Sequence, residues 1–312
     1  MRSSAAVFLS FLIAVSVGGC KGKEAQAPPP PPKPKSAPVP KGILIYVSAG
    51  SLYRMEEGGM PVLLDAGPAW FPAVKVNESG GGMVAYWQDE ADGMSLATID
   101  LVSNSKTIIG KWTSLAGSGR NLNVRNAPCW HPVEDRLFFA DGRQIWSVGP
   151  DGHNLETLYE HPSGCFSVTV APDGKKIAFV GVKGGEQNLW VYSLLTHKAR
   201  ALTAITEMEG FVGAPAWSPK SDNIVFVVYK AEESNLWSIS AAEGAEAVKL
   251  TKEGRVSSPS WTPSGKYIAV SSGMQDPYKW QVALIDSGDG RFLKQLTDSP
   301  VGAYSPSIGG TW

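Results

Sequence analysis

Two segments, Ala214-Pro215-Ala216-Trp217-Ser218-Pro219 and Ser258-Pro259-Ser260-Trp261-Thr262-Pro263, are copies of one pattern. Each is followed by a turn and an apolar strand, Asn223-Ile224-Val225-Phe226 in one and Lys266-Tyr267-Ile268-Ala269-Val270 in the other. Fainter copies are Gly67-Pro68-Ala69-Trp70-Phe71-Pro72, Ala127-Pro128-Cys129-Trp130-His131-Pro132 and Val168-Thr169-Val170-Ala171-Pro172-Asp173-Gly174. The second proline of each copy, at Pro72, Pro132, Pro172, Pro219 and Pro263, recurs at separations of 60, 40, 47 and 44 residues. That period, about 40 to 50 residues, is the length of a four-stranded propeller blade. Each copy runs on through strands such as Asn188-Leu189-Trp190-Val191-Tyr192 and Asn235-Leu236-Trp237-Ser238-Ile239 to the endings Leu202-Thr203, Leu250-Thr251 and Leu296-Thr297. Turn pairs Asp173-Gly174 and Ser264-Gly265 suit hairpins between the strands.

The first unit, Ile43 to Asp65, holds only three strands and lacks the opening one. The chain ends with Ala303-Tyr304-Ser305-Pro306-Ser307-Ile308, an opening segment without its continuation. An unpaired strand edge invites aggregation, and pairing the last strand with the first blade removes it. The pattern therefore predicts an all-β fold, a six-bladed β-propeller of four-stranded antiparallel blades over 42–312, closed by the C-terminal strand on the N-terminal blade. Trp146, Trp190 and Trp237 recur at one blade position, where packing between neighbouring sheets is expected.

The whole chain has 43% hydrophobic and 18% charged residues, 34 Gly and 23 Pro, and a formal charge of −1. A large core can form, and the balanced charge gives no long-range field for nucleic acid or for an anionic membrane. Arg2 is the one charge ahead of the apolar run Ala5 to Val17, too short to span about 30 Å of hydrocarbon and shaped like the core of a secretory signal. The run ends in Val17-Gly18-Gly19-Cys20, which resembles the lipobox of bacterial lipoproteins; an ordinary signal with an incidental cysteine is the other reading. The resemblance implies a signal peptide over 1–19 and a mature chain that starts at lipidated Cys20 and is bound to a membrane through that lipid. Losing Arg2 takes the formal charge to −2. Lys21 follows in place of the aspartate that retains such proteins at the inner membrane, which implies the outer membrane facing the periplasm, with the cell surface as the other destination. Residues 20–41 form a tether: eight of the 23 prolines fall between Pro28 and Pro40, which favours polyproline II. Thirteen such residues span about 40 Å.

The Pro-x-Trp-x-Pro segments, the run Pro172-Asp173-Gly174-Lys175-Lys176-Ile177-Ala178-Phe179 and the Leu-Thr endings resemble the WD40-like repeats of TolB-type six-bladed propellers. The likeness covers about 270 residues. It fades in the first three blades, where Pro-Asp-Gly becomes Pro72-Ala73-Val74 and Pro132-Val133-Glu134. TolB itself carries an additional α/β domain ahead of its propeller. The resemblance implies binding of protein partners at a channel mouth and no chemistry of the chain's own. Neither a Gly-x-Ser-x-Gly nucleophile elbow nor a His-Glu-x-x-His helix occurs in the sequence.

Four histidines, His131, His153, His161 and His197, are too scattered for a metal centre legible from spacing. His131 stands where other copies have Ser or Thr near the channel, and it is expected either in a turn or as a ligand. Asp89-Glu90-Ala91-Asp92-Gly93 is either a solvated loop or a calcium loop short of its full spacing. Cys129 and Cys165 sit four residues out of register when the repeats are aligned, about 13 Å along a strand, which opposes a disulfide without excluding one through a folded-back loop. Loops between blades, and those between second and third strands, share one face beside the channel mouth. They carry Arg125, Asn126, Phe166, Phe211, Arg255 and Tyr304, a mix of Arg and aromatics typical of binding hot spots, with the Gly/Ser-rich connection Lys111 to Asn126 beside them. The expectation is a monomeric, non-enzymatic scaffold that needs no cofactor and binds cell-envelope proteins, including peptidoglycan-associated ones, through those loops. The alternative is a propeller enzyme or small-ligand sensor with a metal or saccharide site in the channel.

Overall fold

A computed structural model describes residues 42–77, 81–112, 127–206, 209–252, 254–276 and 278–309. All fall within the compact unit Ala37–Trp312; the other unit, Met1–Ser36, lies outside them, and so does Cys20. Among the described residues every regular element is a strand. β1 (Ile43–Ser48), β2 (Ser51–Glu56) and β3 (Val62–Asp65) are followed by β4 (Ala69–Val76), β5 (Gly82–Glu90), β6 (Gly93–Asp100) and β7 (Lys106–Trp112). Next come β8 (Cys129–Trp130), β9 (Leu137–Ala140), β10 (Gly142–Val148), β11 (Glu156–Val170), β12 (Lys176–Lys183), β13 (Glu186–Ser193) and β14 (Lys198–Ala201). The chain finishes with β15 (Phe211–Trp217), β16 (Asn223–Lys230), β17 (Glu233–Ser240) and β18 (Val248–Lys249), then β19 (Val256–Trp261), β20 (Tyr267–Ser272), β21 (Gln281–Asp286), β22 (Phe292–Gln295) and β23 (Tyr304–Gly309).

The sheets are antiparallel meanders, and β23 pairs with β1 through Gly309↔Ile43 and Ile308↔Leu44, so the last strand completes the sheet of the first three. Hydrogen bonding does not separate six blades. It gives four sheets of four strands and one of seven, β8 to β14, in place of the six separate blades expected. The cause is β11, fifteen residues long: Glu156–Glu160 pair with β10 while Cys165–Val170 pair with β12, and Cys165 also meets Gly142 of β10. One continuous strand thus serves as the outer edge of one meander and the inner strand of the next. Buried apolar residues form six clusters, each between two successive meanders, and the cluster of Leu44 and Tyr46 with Ala269 and Leu284 joins the last to the first. Trp146, Trp190 and Trp237 each pack into such a cluster. Burying large aromatics between sheets supplies much of the driving force for stacking them.

The inner strands share one distortion. Phe71, Ser167, Ala214, Ser258 and Ser305 all have left-handed backbone, with φ of 49, 52, 48, 49 and 53°. Each sits at a break in register, as between Gly213 and Ala216 or Ser257 and Ser260, and the residue after it is proline in four of the five. This is a β-bulge, which bends the strand and sharpens its twist where the sheets converge. The bulge corrects the alignment of the second repeat. Phe71-Pro72 occupies the place of Ala214-Pro215, so Pro72 corresponds to the first proline of the pattern and not the second. Side-chain bonds agree: Trp130 Nε1 donates to Ala73 O at 2.9 Å as Trp261 Nε1 donates to Ala216 O at 3.2 Å. Trp70 instead precedes the bulge and stacks on Tyr304, ring centroids 6.2 Å apart. Composition alone misled here, because Pro68 and Pro72 flank a tryptophan by coincidence.

A second repeated device explains the Asn-Leu-Trp and Leu-Thr signatures. Thr203 Oγ1 donates to Asn188 Oδ1 at 2.8 Å and accepts from the Leu189 N–H at 2.9 Å. Thr251 repeats this with Asn235 at 3.1 Å and Leu236 at 2.9 Å, and Thr297 with Gln281 at 2.8 Å and Val282 at 2.9 Å. In these three meanders the threonine bolts the departing chain to the start of the third strand, where both partners are buried. Replacing Thr251 by Val keeps the shape and strands both partners, so we expect urea unfolding to register a loss of about 1–3 kcal/mol with an unchanged m-value.

Candidate functional site

Strand polarity gives the ring two faces. On one, which we call the loop face, connections between meanders meet the turns between second and third strands: Ala69 N–H donates to Gly50 O at 2.7 Å, Gly273 N–H to Arg255 O at 2.7 Å and Ala303 N–H to Trp280 O at 2.8 Å. On the other, the turn face, hairpins closing the inner strands meet those before the outer strands, through Leu194 N–H to Lys175 O at 3.0 Å and Ala241 N–H to Asp222 O at 2.8 Å.

Six inner segments, 71–74, 127–132, 167–172, 214–219, 258–263 and 305–308, line a single cavity of about 460 Å³. The residues used are the C-terminal parts of the inner strands and the start of their hairpins, so the cavity lies in the turn-face half of the channel. Its described lining is proline, tryptophan, small aliphatics and hydroxyls such as Ser260 and Ser307, with no Asp, Glu, Lys or Arg. Such a surface offers shape and weak hydrogen bonding and no electrostatic handle.

The candidate binding residues lie at the opposite end. Phe166, Phe211, Arg255 and Tyr304 stand at or before the entries of inner strands, on the loop face, and none of them lines the cavity. Arg125 and Asn126 fall outside the described residues, as does most of the connection from Lys111 to Asn126. Phe211 is exposed, and the Arg255 guanidinium lies 3.6 Å from Glu232. Phe166 is half-buried against the core shared with β16, and Tyr304 is half-buried against Trp70, its hydroxyl pushed to higher pKa by burial. Phe211 and Arg255 therefore present their side chains outward, whereas Phe166 and Tyr304 are largely spent on packing. The structure adds Met274, Tyr278 and Val301, exposed on the same face. The turn carrying Met274 starts beside Arg255, through Gly273 N–H to Arg255 O, and the loop of Val301 ends beside β21, through Ala303 N–H to Trp280 O. Tyr278 was discoverable in the sequence, since it falls between the apolar runs that form β20 and β21.

Residues 140–295 match the family model described as TolB beta propeller domain. The chain belongs to that family. It is 31% identical over 124 residues to the Tol-Pal system protein TolB of Anaeromyxobacter dehalogenans, a match spanning 38% of this chain and 27% of that protein. It is also 31% identical over 108 residues to the uncharacterized peptidase YuxL of Bacillus subtilis, across 32% of this chain and 16% of YuxL. The crystal structure of TolB from Acinetobacter baumannii superposes with a TM-score of 0.69 at 17% identity, covering 86% of this chain and 66% of that one. The chain thus matches about a quarter of the curated TolB relative's length.

Within this TolB-family propeller the other polar candidates have structural partners. His131 is buried but absent from the cavity lining. Its Nδ1 accepts the Glu134 N–H at 2.9 Å and its Nε2 lies 3.3 Å from Gly174 O, so the imidazole ties its own hairpin to the next one. Ser218 and Thr262 do the hairpin half of this job in their copies, accepting Asn223 N–H at 3.1 Å and Tyr267 N–H at 3.2 Å. In the carboxylate loop, Glu90 lies 2.9 Å from Lys111 Nζ, and Asp92 bonds the same amine. Bonds from Ser95 and Lys111 hold Glu90 below its ordinary pKa, and Lys111 does the same for Asp92. Among the described residues no three His, Cys, Asp or Glu side chains group as a metal site. Cys129 and Cys165 are both free thiols in the same core cluster, and burial pushes each up to about 12. Thiolate is the reactive form, so at pH 8 we expect both to react with an aromatic disulfide reagent at least about 100-fold more slowly in the folded protein than in urea; fast native labelling of either would contradict this burial.

Proposed function

We propose that this chain is a lipid-anchored propeller of the cell envelope, six-bladed, that works as a non-enzymatic protein-binding scaffold through its loop face. Six core clusters and six inner segments around one cavity support the count of six, with the seven-stranded sheet read as two blades sharing β11. The domain limits proposed are a signal peptide over 1–19, a lipidated Cys20 with a Pro-rich tether to residue 41, and the propeller over 42–312. The likeness to Tol-Pal system proteins supports an envelope setting and a protein partner, peptidoglycan-associated proteins included.

The observation that carries the binding reading is the outward set Phe211, Arg255, Met274, Tyr278 and Val301 on one face of a rigid ring. Aromatic and arginine side chains on a preformed surface bind with little ordering cost. Alanine at Phe211, Arg255 and Tyr278 together is expected to cut recovery of cross-linked envelope partners at least about tenfold while leaving the unfolding transition in place; unchanged recovery would remove the loop face as the binding surface. Replacing Cys20 with Ser is expected to move the protein from the membrane to the soluble fraction, and retention in the membrane would refute the lipid anchor.

A further inference from the structure

The hairpin tips of the turn face are unusually apolar. Met60, Val102, Val133 and Leu195 are 84, 78, 80 and 82% exposed, and Leu155 stands among them at 47%. Each belongs to a different hairpin: Met60 follows β2, Val102 follows β6, Val133 follows β8, Leu155 follows β10 and Leu195 follows β13. Single exposed aliphatics are ordinary on any protein, but a series at the tips of successive hairpins on one face is not.

Polar contacts fasten the Val133 hairpin to its neighbours. Lys75 Nζ donates to Glu134 O at 2.9 Å, Arg136 Nη2 to Asn154 O at 3.3 Å, and His131 Nε2 lies 3.3 Å from Gly174 O. Nearby charges are paired internally, Lys75 with Asp135 at 3.0 Å and Arg136 with Glu156. The apolar tips occupy only one arc of the face. The turns of Met60, Val133 and Leu155 also expose Glu57, Glu134, Asp135 and Asp151, whereas the equivalent turns after β17 and β21 carry Glu243, Glu246, Asp289 and Arg291 and no exposed large aliphatic.

The chain enters the ring on this arc. Gly42 O accepts the Glu57 N–H at 3.3 Å, in the turn that leads to Met60, and 41 residues precede it, including the run of prolines and Cys20. We infer that the arc of Met60, Val102, Val133, Leu155 and Leu195 is a docking surface for a phospholipid bilayer, with the aliphatic tips entering the boundary between headgroups and acyl chains. This rests on the lipid-anchor reading of Cys20. A spacer of about 40 Å attached beside the arc keeps it at high effective concentration near the bilayer, so a contact too weak to recruit free protein suffices to orient tethered protein. Docked this way, the ring turns its loop face, with Tyr278 and Arg255, away from the lipid and towards soluble partners.

Single-cysteine labels in a C129A background test this, because Cys165 is buried and Cys129, half-buried on the cavity wall, is removed, leaving an introduced thiol as the one to react. The processed, full-length protein carrying V133C, L195C or V301C is labelled with an environment-sensitive dye. It is then reconstituted on phosphatidylethanolamine/phosphatidylglycerol vesicles containing a nitroxide lipid. Labels at V133C and L195C on the turn face are expected to be quenched at least about threefold more than the label at V301C on the loop face. Equal quenching at all three, or none at any, overturns the docking surface. Vesicle flotation separates the two ideas: protein that floats with unquenched labels keeps the anchor and loses the docking, whereas protein that does not float loses the anchor and with it this inference.

Discussion

The pairing of Ile43–Ser48 with Tyr304–Gly309 is the interaction on which the molecule depends. Every other sheet is assembled from neighbours in sequence, at small entropic cost, but this one joins segments more than 250 residues apart. Without it β1 would be an open edge, and the cluster of Leu44, Tyr46 and Met55 against Ala269, Val282 and Leu284 would face water. The junction is reinforced on both sides of β23. Val74 N–H donates to Ser307 Oγ at 3.0 Å, and Ile308 N–H to Ser260 Oγ at 3.2 Å, tying the last inner strand to both neighbours. Ser48 Oγ adds a bond to Gly302 O at 2.6 Å.

A closed ring of small sheets must crowd its inner strands, and the repeated left-handed bulge is how this chain meets that demand. A non-glycine residue in that conformation costs roughly 1–2 kcal/mol, spent here at five inner-strand positions and offset by the packing between sheets. The proline after the bulge has no N–H to leave unpaired in the interrupted ladder. Small residues and prolines at the narrow centre also account for the uncharged cavity: a carboxylate or ammonium there would be desolvated with no partner within reach.

The two faces divide the remaining properties. Exposed aromatic rings, Phe211 and Tyr278, stand on the loop face, where connections between sheets are free to vary. The turn face is built from tight hairpins whose polar side chains, His131, Ser218 and Thr262 among them, are consumed in holding the turns. Exposed aliphatic tips are confined to one arc of it, and the chain enters beside that arc. That asymmetry gives the ring a defined up and down.

How much of this was legible depends on whether a residue's role is local. The period, the propeller fold, the closing segment and the packing tryptophans could be read from the chain, because each meander is a local unit with its own turn residues and alternation. The Leu-Thr ending was visible as a signature, yet its partner Asn188 lies fifteen residues away and only the folded sheet brings the hydroxyl and the amide together. Register in the second repeat was misread since Pro68 and Pro72 mimic the motif, and the bulge that discriminates them is a matter of backbone angle. His131 and the acidic loop looked available because a sequence does not display the N–H groups and the Lys111 amine that occupy them. Tyr304 and Phe166 looked like surface aromatics until the ring closed over them. What the sequence by itself determined was the repeating unit, through hydrophobic alternation and turn chemistry acting over a few residues. Tertiary structure alone decided which side chains remain outside and which end of the ring they occupy, because burial is set by contacts between sheets far apart along the chain.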